Sequence, residues 1–310
     1  MRSPRLVVLA LIAVPCLVAG AGADPFPAPP PGARGLLLLT GADGGYVEPK
    51  GCWGYEGGSL YRPALDRWLA SSWPSLPRLW VSTGNVTTLP EFDDGVVADP
   101  ARSFAHLDAT GYAVVGVGAM DLDRLGPDGL RALRGRHAFE LVATNLVEFE
   151  TGRPLVAPVA VREVAGRRIA FLAVLEHQPE RVWVTGEGLT VVTVDPERAV
   201  REQLARIGDD VDAVVLLSTL LQGSLRALLR AVPPFDLVAA SSGTYFTRGT
   251  IDLEGHPVVW LGNWGQRLGV VPLDRDGALG PAVTVRVDET FPVDPATGRL
   301  RERAARAETR

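Results

Sequence analysis

Histidine, cysteine and lysine are scarce in this chain, and each scarcity narrows what it can do. There are four histidines in 310 residues, His106, His137, His177 and His256, which leaves little imidazole for a metal centre or for proton transfer near neutral pH. The two cysteines, Cys16 and Cys52, exclude a disulfide framework. Lys50 is the sole lysine among 31 basic residues, a bias that reads as a GC-rich gene rather than a binding surface. Those basic residues are scattered and outnumbered by 36 acidic ones, so no patch suited to nucleic acid is built. The apolar run at 6–18 is too short for the ~20 residues of a spanning helix.

What is present begins with an export signal. Two arginines lie within residues 1–5, the apolar run follows, and Ala21-Gly22-Ala23 has the small-x-small form of a cleavage site. The expected organisation is a signal peptide at 1–23, a proline-rich linker at 24–34, one domain at 35–290 and a charged, disordered tail at 291–310. The product is exported, periplasmic or extracellular. A lipoprotein anchored through Cys16 is the alternative, with Pro15 standing where a small residue belongs. Once Cys16 leaves with the signal, Cys52 has no internal partner.

Residues 35–40, 78–82, 113–117, 140–144, 168–175, 189–194, 213–218, 237–240, 257–262 and 268–273 read as strands, several apolar throughout, as strands covered on both faces must be. Residues 60–71, 100–110, 125–134, 196–207 and 224–231 read as helices, the fourth opening on Asp195 as cap and Pro196 in the first turn. Repeated strand, turn and helix predict an α/β fold of stacked layers.

Six segments then stand in an informative order: GLLLLTGADGGYVEPKGCWGYEGGSLYR at 35–62, RLWVSTGNV at 78–86, LDATGYAVVGVGAMDLD at 107–123, VDAVVLLSTL at 211–220, FDLVAASSGTY at 235–245 and GHPVVWLGNWGQRLG at 255–269. Together they resemble the catalytic domain of the 5′-nucleotidase (UshA-like) branch of the calcineurin-like metallophosphoesterases, from about Gly35 to Val287. The resemblance implies a four-layered sandwich of two mixed sheets flanked by helices. It also implies a divalent metal pair held by carboxylate and imidazole ligands on the loops after the strands, the two ions about 3.5–4 Å apart.

The family's ligands are largely replaced. Its Asp-x-His falls on Ala42 and Gly44, with Asp43 one residue out of register. Its Gly-Asp, which bridges both metals, reads Gly84-Asn85, and a neutral amide cannot compensate two cations. Its Gly-Asn-His-Glu reads Gly118-Ala119-Met120-Asp121, Thr219 stands for the histidine of the next motif, and Gly-His-x-His reads Ser241-Ser242-Gly243-Thr244. Asp43, Asn85, Asp121, Thr219, Ser242 and Thr244 thus mark a vestigial site, with no metal set and no cofactor expected. None of the histidines falls on a motif position; His177, in LEHQPE after a strong strand, is the one candidate, weighed against an exposed rim histidine.

GYVEPKGCWGYEGGSLYR also resembles an exported UshA-like subgroup, some of them selenoproteins, with Glu-Pro-Cys-Gly-Cys ahead of a Gly-Gly-Leu-Ala-Arg helix start. Lys50 occupies the first thiol position and Cys52 the second, so Cys52 is either a thiolate favoured by Lys50 or a buried relic. Gly57, Gly58 and Arg62 match the helix start, where free N–H groups could hold an anion. Asn263 and Arg267 are further ligand candidates. Ser218, Ser242, His177 and Asp121 supply the residue types of a metal-independent hydrolase without nucleophile-elbow spacing. The reading favoured is a binding or scaffold protein on a phosphoesterase fold, its partner an unknown small molecule or protein. Metal-dependent hydrolysis of a phosphoester or nucleotide is the alternative.

Overall fold

The computed structural model describes residues 32–49, 57–89, 98–242, 246–247, 249–274 and 277–287. In chain order these form β1 (Gly35–Thr40), α1 (Arg62–Ser72), β2 (Arg78–Ser82), α2 (Pro100–Thr110), β3 (Tyr112–Gly116), α3 (Ala119–Leu133), β4 (Glu140–Val142), β5 (Leu146–Glu148), β6 (Val159–Val164) and β7 (Arg167–Val174). There follow β8 (Trp183–Val184), β9 (Thr190–Thr193), α4 (Pro196–Ile207), β10 (Ala213–Ser218), α5 (Gln222–Ala231), β11 (Leu237–Ala240), β12 (Ile251–Leu253), β13 (His256–Trp260), β14 (Arg267–Leu273) and β15 (Val283–Arg286).

Two six-stranded mixed sheets carry the fold, in the orders β15-β14-β1-β2-β3-β4 and β12-β13-β11-β10-β7-β6. Strands β1 to β4 run parallel, as do β7, β10, β11 and β13, while β6, β12, β14 and β15 are antiparallel margins. A third sheet, β5-β9-β8, is small and antiparallel.

The unbroken apolar run of β1 has a direct cause. Leu37 and Leu39 pack between the sheets with Val81, Phe171 and Val215, whereas Leu36 and Leu38 face Leu65 and Leu69 of α1 and Leu107 of α2. Both faces of the strand are covered, so alternation disappears. On the far side Leu172, Leu216 and Val238 pack against Val200 of α4 and Leu225 and Leu229 of α5. The order helix, sheet, sheet, helix is the four-layered sandwich expected.

Several boundaries differ from expectation. The helix expected at 125–134 begins at Ala119 and is kinked at Gly126 (φ 66°, ψ 173°), just before Pro127. The expected strand at 189–194 belongs to the small third sheet, which was not foreseen. Strands β5, β6, β8, β12 and β15 were also missed; they are short or polar margins, whose half-exposed residues lack a continuous apolar run. The signal peptide, the tail, Lys50, Cys52 and Thr244 lie outside the described residues.

Candidate functional site

The ends of the parallel strands converge on one rim, and hydroxyl side chains lie beneath it. Thr40, Ser82, Thr83, Ser218 and Ser241 are all buried, and the Thr83 and Ser241 hydroxyls bond each other across the two sheets. Gly41 lies against that pair, where a Cβ would stand 1.9 Å from Thr83 Oγ1.

Above this floor the loops are tied by backbone bonds. Ala42 N donates to Gly84 O (2.9 Å), Gly44 N to Asn85 O (2.9 Å) and Gly45 N to Val86 O (2.7 Å), so the loops after β1 and β2 prolong the pairing of their strands. Met120 N donates to Asn85 Oδ1 (3.1 Å), joining the start of α3 to the same cluster. On the second sheet Ser242 Oγ donates to Leu220 O (2.8 Å), and Leu221 N donates to Glu176 Oε1 (2.6 Å).

These loops enclose a cavity of about 570 Å³. Ala42, Gly44, Asn85, Ala119, Met120, Thr219 and Ser242 line it, together with Asn263, Tyr46, Trp264, Thr88, Leu221 and Glu176. Residues far apart in sequence are therefore brought to one place by the strand ends. Tyr46, Trp264 and Glu176 were not singled out from sequence. The signal for Glu176 is its position at the end of the β7 run, directly before His177.

Other candidates are placed elsewhere. Asp43 does not line the cavity: it is buried in a bidentate ion pair with Arg62, at 2.7 Å to Nη1 and 2.6 Å to Nη2. Tyr112 Oη accepts from Arg62 Nη1 (3.1 Å) and shares a 2.7 Å bond with Thr40 Oγ1. Burial, the largest influence on Arg62, works against its charge, yet Asp43 and Tyr112 hold its pKa above the ordinary value. Burial pushes the Tyr112 hydroxyl up to about 12. Arg62 therefore holds an internal carboxylate, not a ligand.

Gly57 and Gly58 likewise offer no anion site, because Gly57 N donates to Val287 O and Gly58 N to Trp264 O, each at 2.8 Å. Asp121 is buried beneath the rim. It accepts from Gly118 N (3.0 Å), Thr87 N (2.8 Å) and Thr87 Oγ1 (3.0 Å), and burial pushes its carboxyl up to about 6 against those bonds. His177 is exposed and lines a neighbouring hollow with Asp195, Glu197 and Ser224, a hollow that shares Glu176 with the cavity, whereas Ser242 lines the cavity itself. The Arg267 guanidinium lies 4.4 Å from the centre of the Phe246 ring. Ser218 is fully buried.

A pair of divalent cations needs several charged or imidazole donors around one centre. The described lining offers one carboxylate, Glu176, and the neutral oxygens of Asn85, Asn263 and hydroxyl groups. No cluster of three potential metal-ligating His, Cys, Asp or Glu side chains occurs among the described residues. This donor set does not fit the metal pair that the fold implies.

The fold itself is shared with several solved structures. A 5′-nucleotidase precursor from Thermus thermophilus superposes with a TM-score of 0.65 at 20% identity, over 89% of this chain and 59% of that one. The sulfate thiohydrolase SoxB of the same species gives 0.67 at 16% identity, over 85% and 58%. The NAD nucleotidase of Haemophilus influenzae gives 0.60 at 14%, over 82% and 50%. This chain thus spans little more than half the length of these neighbours. No protein-family model and no curated protein matches it in sequence. The chain has the fold of the 5′-nucleotidase-like metallophosphoesterases.

Proposed function

We propose that this protein binds a small molecule in the cavity at its strand ends and does not hydrolyse phosphoesters. One observation carries the reading: where the dinuclear site of the fold would draw its ligands, the cavity wall is made of Ala42, Asn85, Ala119, Met120, Thr219 and Ser242. These side chains leave the packing of the loops intact and remove the charge that would hold two cations at close range. A cavity of about 570 Å³ falls within the size of small-molecule sites, and its mixed lining of aromatic, aliphatic and amide groups suits an organic ligand. Hydrolysis of a nucleotide or phosphoester, the alternative, has the fold in its favour, and fold alone does not carry chemistry.

Export through residues 1–23 belongs to the same proposal, and N-terminal sequencing of the mature protein is expected to begin at Asp24; a start at Met1 would overturn it. Among the described residues no helix is long and apolar enough to cross a membrane. Purified protein incubated with Mn²⁺ or Zn²⁺ is expected to leave p-nitrophenyl phosphate, bis-p-nitrophenyl phosphate and AMP at the protein-free rate. Metal-dependent turnover that disappears in Glu176→Ala would establish the alternative instead.

A further inference from the structure

We infer that the cavity takes a flat organic cation, an arylalkyl amine in its simplest form, and excludes phosphoesters; this deepens the binding role proposed above and rests on it. The first argument is charge. Among the described lining residues there is no arginine, lysine or histidine, and Glu176 is the one carboxylate. A phosphate entering such a site would lose its water without gaining a cationic donor, whereas charge-assisted bonds are what phosphate recognition ordinarily relies on. An ammonium group would find the Glu176 carboxylate. A ring attached to it would find Trp264 and Tyr46, whose own rings meet edge to face at 6.4 Å and 82°.

Backbone strain supplies the second argument. Five non-glycine residues among those described have left-handed φ, and three of them, Ala42 (48°), Asn85 (51°) and Trp264 (59°), line this cavity. A bulky residue such as tryptophan rarely adopts that conformation, and strain of this kind gathers at binding sites. Trp264 is locked there from both sides: its N–H donates to Ala42 O (2.5 Å), and its carbonyl accepts from Gly58 N (2.8 Å). The backbone that carries the indole is thereby fixed, and Trp264 lines the cavity with 37% of the residue exposed. An aromatic carried on a fixed backbone has less conformational freedom to lose on binding.

Calorimetric titration of the full chain with 2-phenylethylamine, 2-phenylethanol and phenyl phosphate tests the inference. The amine is expected to bind saturably at one site, the alcohol about tenfold or more weaker, and phenyl phosphate not at all. Glu176→Gln retains a carbonyl oxygen for Leu221 N–H and removes the charge; it is expected to bring the amine down to the affinity of the alcohol. Trp264→Ala is expected to weaken amine and alcohol alike. Equal affinity for amine and alcohol, no saturable binding of the amine, or phenyl phosphate bound intact in preference to both would each overturn the inference while leaving a non-hydrolytic protein. Hydrolysis of phenyl phosphate would instead overturn the binding role beneath it.

Discussion

Asp43 and Arg62 show how a residue of the right type can be occupied by something other than chemistry. The pair is almost wholly buried, with side chains 4% and 1% exposed, so each charge depends on the other. Asp43→Asn leaves the guanidinium without its counter-charge, and urea denaturation is expected to show a loss of about 3–5 kcal/mol. A metal-ligand role for Asp43 would instead show as lost metal with stability nearly unchanged. Asp121 makes a second residue-scale prediction. Its folded-state carboxyl lies at about 6, above the ordinary 3.8, so the native state holds the proton more tightly than the unfolded chain. The stability it contributes is present below that ordinary value and is lost as pH rises from about 4 to 6, on the order of 3 kcal/mol in all. Subtracting the pH profile of Asp121→Asn from that of the parent is expected to show this fall; a flat difference would refute it. Sequence register already set Asp43 outside the ligand position. Its pairing with Arg62 was not legible, because nothing local indicates which of many arginines will lie behind a given loop.

At the scale of elements, strand interiors were legible and the joints between them were not. The runs of β1, β7 and β10 announce strands covered on both faces, and Asp195 with Pro196 announces the start of α4, where Asp195 Oδ1 accepts from Glu197 N at 3.0 Å. The helix expected at 125–134 takes in Gly126 and Pro127, where α3 is kinked, and leaves out its first turns from Ala119, although Asp121 secures that start through Gly118 N. The glycines at 57 and 58 were read as a helix opening able to hold an anion, whereas they are a close crossing of two loops. At Gly57, φ is +78° and a Cβ would lie 2.2 Å from the Trp264 carbonyl oxygen, a backbone atom that cannot swing aside. Gly57→Ala is therefore expected to cost about 2 kcal/mol or more in denaturant unfolding, consistent with strain at a special backbone conformation. It is also expected to shift Trp264 fluorescence, and an unchanged unfolding midpoint would contradict the crossing described.

The whole molecule keeps the sandwich of its structural neighbours, and the order of six strand-end segments was enough to predict that architecture. The same order foretold which loops meet, because parallel strands deliver their following loops to one edge. The composition of the meeting place was legible only at motif positions. Tyr46 and Trp264 lie within the family-like segments but at no ligand position, Glu176 lies outside them, and it is folding that brings the three to the cavity. The central claim is that the fold persists where the metal pair does not, and metal stoichiometry tests it most directly. Protein stripped with chelator, incubated with excess Zn²⁺ or Mn²⁺, desalted and assayed by mass spectrometry is expected to retain far less than one equivalent of either ion. Two equivalents retained per chain, and lost in Glu176→Ala or Asn85→Ala, would contradict the account.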